Sequence, residues 1–178
     1  MSDETMCVLN YNNVFSSCYK QGTTKITEKI KEHVLIYIKT GVLELKYDNK
    51  IYIFSNNDCV FIRRSHDVQL IKKAVGKSAF EGVFFILDKQ FLASKFKKYK
   101  NLDYPIDKSP IIQIDKNPLI TSFFNTILSY RETGIVPDEE VIQAKKYEAL
   151  DALLKIKPSL AKSLFDFTKP WKVDLEIF

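Results

Sequence analysis

Glycine is scarce in this sequence, five residues of 178. A chain that cradles a phosphate or a dinucleotide uses glycine to bring its backbone close to the ligand, and no P-loop or GxGxxG run occurs. Histidine is scarcer still, with only His33 and His66, and neither sits in an HxH pair. A catalytic metal needs three or four converging ligands, so no metal and no cofactor are expected. The three cysteines, Cys7, Cys18 and Cys59, are odd in number, widely spaced and outside any CxxC pair. That pattern excludes a disulfide framework and fits a reducing cytoplasm. There is no GxSxG elbow, and no reaction class is left with a recognisable nucleophile, so the chain is not expected to be an enzyme. The start, MSDETMCVLNYNN, lacks the basic and apolar regions of a signal peptide. No apolar run approaches the roughly 20 residues that span a bilayer, so no membrane contact is expected.

What is present is an aromatic-rich globular chain, with 46% apolar and 28% charged residues, thirteen Phe and nine Tyr. This suits one domain with an appended helical part. The net charge of +5 is spread along the sequence. Its one dense patch, Lys95 to Lys100 in KFKKYK, reads as a solvated helix face before it reads as a nucleic-acid site.

Residues 1–32 are mixed and hold one or two edge strands. From Ile26 to about Leu87 the pattern is mostly β. His33 to Lys39 is an apolar run suited to a strand buried on both faces. Leu43, Leu45 and Tyr47 alternate with charged residues, and Ile51 to Phe54 return after the Asp48-Asn49-Lys50 turn. Cys59 to Arg64, Val68 to Lys73 and Ala79 to Leu87 complete at least six strands, enough for a small barrel or sandwich. At Asp88 the period becomes helical. Asp88 is placed to cap a helix through Tyr99, and Asn117-Pro118 to open a second that ends at Thr133-Gly134. A third helix runs from about Asp138 to Ile156, with acidic residues in its first turn. Its apolar residues form two stripes, where one is enough to cover a core. Either the second stripe, with Val141, Ala144, Tyr147, Leu150 and Leu154, meets another subunit, or the helix is buried within its own chain. Pro158-Ser159-Leu160 opens a short fourth helix. Asp174 is placed to cap a further one.

The segment NDCVFIRRSHDVQLIKK (57–73) resembles the later half of the regulatory barrel in the AraC/XylS family of transcription regulators, above all its ExsA-like group. There a Gly-Asp or Gly-Glu turn leads into an aromatic–aliphatic strand ending in paired arginines. This chain has Asn57 at the turn, and Asn tolerates positive φ. AKKYEALDALLKIKPSLAKSLFDF (144–167) resembles that group's helix pair, and FDFTKPWKVDLEIF resembles its linker toward a helix-turn-helix. The resemblance spans roughly residues 30–178.

It implies an α+β fold, a cupin-like (double-stranded β-helix, or jelly-roll) barrel followed by an α-helical dimerisation subdomain. The expected division is 1–110 for the barrel with its following helix, 111–165 for the helical subdomain, and 166–178 for a linker toward a DNA-binding domain absent from this sequence. The implied function is the effector-sensing and dimerisation half of a cytoplasmic regulator, a homodimer that meets promoter DNA only through that absent domain. Strand alternation puts Tyr37 and Lys39 on one shared face, and Phe61 and Arg63 on another. If both faces point inward, these four are the candidate ligand-binding residues. The alternative for Arg63 or Arg64 is a structural pair with Glu44, Asp58 or Asp67. Candidate dimerisation residues are Val141, Ala144, Tyr147, Glu148, Leu150 and Leu154. Two other readings stay open: a stand-alone cupin enzyme or small-molecule-binding protein, and a regulatory domain governed by a protein antagonist.

Overall fold

A computed structural model describes residues 7–11, 14–19 and 22–167. The strands are β1 (Cys7–Tyr11), β2 (Val14–Tyr19), β3 (Thr23–Ile30), β4 (His33–Thr40), β5 (Val42–Tyr47), β6 (Lys50–Phe54), β7 (Cys59–Ile62), β8 (His66–Lys73), β9 (Phe80–Leu87) and β10 (Ile111–Ile114). The helices are α1 (Lys89–Tyr99), α2 (Pro118–Thr133), α3 (Glu139–Ile156) and, after a 3-10 turn, α4 (Ala161–Leu164). All strand pairs are antiparallel and fall into two sheets, β1-β2-β9-β4-β7-β10 and β3-β8-β5-β6.

The pairing is nested. β2 pairs with β9, β3 with β8, β4 with β7 and β5 with β6, so that each outer pair encloses the next. Alternate pairs belong to opposite sheets, which is the winding of a jelly-roll, or double-stranded β-helix. The expected fold class therefore holds. The innermost turn needs left-handed backbone, which Asp48 (φ 47°) and Asn49 (φ 60°) supply in the two-residue β5–β6 hairpin. Asn57, at the turn before β7, has φ 65°, the conformation its glycine-like position requires.

Two apolar layers result. The first lies between the sheets, built from Ile36, Ile38, Val60, Ile62 and Phe84 on one side and Leu43, Leu45, Phe54, Val68 and Leu70 on the other. The second lies outside the larger sheet, where Leu35, Tyr37, Phe61, Val83 and Phe85 meet α1, α2 and α3. β4, β7 and β9 serve both layers, and for that reason their sequences are near-continuous apolar runs.

The caps of α1 and α2 match expectation, while Asp138, expected in the first turn of its helix, is the cap itself. Asp88, Asn117 and Asp138 each accept a backbone N–H near the start of their helix, at 2.8, 2.9 and 2.9 Å. Gly134 closes α2 at φ 69°. Two further features differ. The first thirty residues hold three strands rather than one or two. Ile111–Ile114, assigned to the helical part, is instead a strand beside β7, so the expected boundary at residue 111 cuts through the larger sheet. A four-residue run flanked by loops carries too few periods to announce itself. Asp174 lies outside the described residues.

Candidate functional site

The four candidate ligand residues do not converge inside the barrel. Tyr37 and Phe61 lie on the outer face of the larger sheet, under the helices. Tyr37 stacks on Phe124 of α2, centroids 5.0 Å apart, and donates its hydroxyl to Asn57 Oδ1 at 2.8 Å. Burial pushes its phenol up from the ordinary value, with Cys59 adding to the shift. Lys39 sits where the β4–β9 register slips, the bulge between Ile38 and Thr40. Arg63 pairs with Asp166, Nη2 to Oδ2 3.7 Å, and not with Glu44, Asp58 or Asp67. Glu44 pairs instead with Lys73, and Asp58 with Lys116 at 3.4 Å. The alternation along each strand is as expected. The choice of face is not, because both faces of these strands are apolar and neither announces the interior.

Among the described residues, the side chains that do line the interior are mostly aliphatic and aromatic, and one of them, Lys72, is charged. Lys72 continues the inward set Val68 and Leu70 on β8, is 5% exposed, and holds its Nζ 4.3 Å from the centre of the Phe84 ring. An ammonium over an aromatic face in an apolar setting is a cation–π contact strengthened by desolvation. Its alternation with Val68 and Leu70 made this placement readable from sequence, but a lysine in that register was not singled out.

A second polar cluster sits where β7 ends. His33, the first residue of β4, is 1% exposed. Its Nδ1 accepts the Arg64 backbone N–H at 3.1 Å, so the neutral ring carries its proton on Nε2, toward the backbone of Ser163 and Leu164. Burial, then the charges of Arg64 and Arg63, lower its pKa to about 3. Arg64 reaches the other way, donating from Nη2 to the carbonyl of Asp166. A third cluster joins the barrel rim to α3. Asp88, besides capping α1, accepts from buried Lys146 at 2.8 Å. Burial works against the Asp88 charge, but the Lys146 hydrogen bond and the Phe91 N–H bring its carboxyl below the ordinary value. A polar groove of about 530 Å³ opens there, lined in part by Gln90, Ser94, Glu139 and Gln143.

The dimerisation set is split by the fold. Leu150 (0% exposed) and Leu154 (6%) are buried in their own chain, against the barrel and the neighbouring helices. Ala144 and Glu148 are exposed, and Val141 and Tyr147 are half-buried. Tyr147 is covered by Lys98 at 4.5 Å and Lys95 at 5.4 Å. Most of the second apolar stripe is thus explained by packing within the chain.

Among curated proteins none matches this sequence. Among solved structures, the fold is similar to an apo ToxT variant from Vibrio cholerae, with TM-score 0.63 and 16% identity over 90% of this chain and 61% of that one. It is also similar to the AraC-like transcriptional activator CuxR, at 0.55 and 9% over 83% and 54%. Unsaturated fatty acid-bound ToxT from Vibrio cholerae gives 0.54 and 14% over 95% and 70%. The chain thus spans about six tenths or less of the first two. At this identity the likeness speaks for the fold alone. The sequence match is the more specific finding: the model of the ExsA N-terminal regulatory domain covers residues 33–162, well over half of the chain, and the chain belongs to that family.

Proposed function

We propose that this domain senses an effector for an AraC-type transcription regulator, binding an apolar small molecule with an acid group inside the barrel. The observation that carries the reading is the interior itself: apolar walls from both sheets and, among the described residues, a buried ammonium, Lys72. Ligand sites of this kind are apolar with few placed polar groups that fix orientation. The fatty acid named with ToxT supports the class of ligand. Promoter DNA is contacted by residues outside this domain, the domain acts as a homodimer in the cytoplasm, and effector binding shifts a population between two arrangements. The domain is a sensor and not an enzyme. Its buried thiol, Cys59, is pushed up by burial and held protonated, which makes it a poor nucleophile.

The test is a calorimetric titration with oleate and with oleyl alcohol. Oleate binds saturably at about one per chain and raises the melting temperature, as a ligand of the folded state must. Lys72→Met keeps the shape of the interior and removes its charge. Its affinity for oleate falls about tenfold, roughly 1.4 kcal/mol, while its affinity for the alcohol is unchanged. Equal loss for both ligands, or none for either, removes Lys72 from the site.

A second reading, control by a protein antagonist, is favoured by one observation. Leu43, Leu45, Val60 and Ile62 are all 0% exposed and pack directly across the interior. No saturable binding of oleate or of shorter acids turns the assignment to that reading.

A further inference from the structure

We propose that residues 165–167 form a latch, a detachable stretch leading into 168–178 that Arg63 and Arg64 hold against the end of the barrel. The boundary falls after Leu164. Up to that point the chain is core: Leu160 and Leu164 are 0% exposed, and Ser163 donates its hydroxyl to the Asp107 carbonyl at 2.7 Å. Beyond it Phe165, Asp166 and Phe167 are only half-buried: the Phe165 N–H still donates to the Ala161 carbonyl at 3.0 Å and both rings rest on the edge of the outer apolar layer, but the remaining polar contacts run to the two arginines. The Asp166 carboxylate stands 3.7 Å from Arg63, and its carbonyl accepts from Arg64. The Arg64 guanidinium lies 5.6 Å from the centre of the Phe167 ring. Phe165 stacks on Tyr99 at 5.5 Å, and Phe96, itself 42% exposed, lies 5.9 and 6.0 Å from Phe165 and Phe167.

This hold is incomplete. The Arg64 Nη1 is buried without a hydrogen-bond partner among the described residues, a cost that docking does not recover. The Arg63–Asp166 separation is longer than a charge-assisted hydrogen bond. Segments held by few buried contacts and by partly exposed polar ones are those that open first. The latch is also wired to the barrel. His33 fixes the Arg64 backbone, and the same strand, β4, sends Ile36 and Ile38 into the interior. A shift of β4 or β7 therefore moves both arginines and reaches the chain that follows. This holds whatever fills the barrel, and is independent of the effector.

Hydrogen exchange followed by mass spectrometry on the whole chain tests it, in wild type, Arg64→Ala and Asp166→Asn. In Arg64→Ala the 165–167 peptide exchanges at least tenfold faster, while peptides of β4 and β7 keep their wild-type rates. Asp166→Asn shifts the same peptide in the same direction by less. Raising salt from about 0.05 to about 0.5 M, which screens partly exposed charges, speeds 165–167 in wild type but not in Asp166→Asn. Unchanged exchange at 165–167 in both variants overturns the proposal. So does a loss of protection spread evenly over β4, β7 and α3, which makes the segment part of the core. If Arg64→Ala does not fold, Asp166→Asn with unmoved exchange at 165–167 is enough to overturn it.

Discussion

His33 sits between two guanidinium-bearing residues in a place where it has no room for a charge of its own. Its pKa of about 3 in the folded chain, against 6.5 when free, has a signed consequence for stability. As pH falls below 6.5 the unfolded chain takes up a proton that the folded chain refuses, so stability is lost from pH 6.5 down to about 3. The loss at pH 5 is on the order of 2 kcal/mol. Most carboxylates are still ionised there, so the window isolates the histidine. The prediction is checked by urea unfolding at pH 7.5 and pH 5. His33→Asn keeps an acceptor for the Arg64 N–H but does not titrate, and should remove most of the slope. A slope equal to wild type would assign the acid sensitivity elsewhere. Nothing in the sequence marked this histidine as more than a strand-edge residue. Its burial depends on α4 folding back over β4, and the paired arginines were visible without the Asp166 that meets them.

Among the elements, α3 shows how far periodicity carries a reading. Its length, its acidic first turn and its two apolar stripes were legible, because a helix of five turns repeats its pattern often enough to be read. What the second stripe faces was not legible, since a helix against its own barrel and a helix against a second subunit ask for the same residues. The structure gives Leu150 and Leu154 to the chain's own core and leaves Ala144 and Glu148 outside. Two substitutions separate the roles. Leu150→Arg forces a guanidinium into a fully buried position and should cost about 4 kcal/mol or more, leaving an unfolded or insoluble chain. Ala144→Arg lies on the exposed face and should change stability by no more than about 0.5 kcal/mol. If the proposed homodimer runs through this face, Ala144→Arg sediments as a monomer at micromolar concentration where wild type sediments as a dimer. A soluble dimer of both variants would move the subunit contact off α3. The strands carry the same lesson. The succession of short runs and turns pointed to a small barrel or sandwich and the family resemblance to a jelly-roll, whereas β10, four residues long, was lost among loops.

At the scale of the whole molecule, the larger sheet is a shared wall with an apolar layer on each side. The barrel layer closes around itself, but the outer layer needs the helices. Without α2 and α3, the rings of Tyr37, Phe61 and Phe85 and the side chains of Leu35 and Val83 would face water. Aromatic residues bury about 150–250 Å² each, so three of them with their aliphatic neighbours exceed the few hundred Å² of contiguous apolar surface that a soluble monomer tolerates. A chain ended at residue 116 keeps all ten strands and α1 and loses only the helical cover. It should accumulate as aggregate, or bind a hydrophobic dye strongly, while the full 178-residue chain unfolds in one transition that includes barrel and helices together. Matching melting curves from far-ultraviolet circular dichroism and aromatic near-ultraviolet signals check the second half of that statement. A soluble, cooperatively melting 1–116 fragment would show instead that the barrel is a free-standing domain and the helices an accessory. In that case a signal from the interior would have to reach the helices across a loose joint rather than through the common strands β4, β7 and β9.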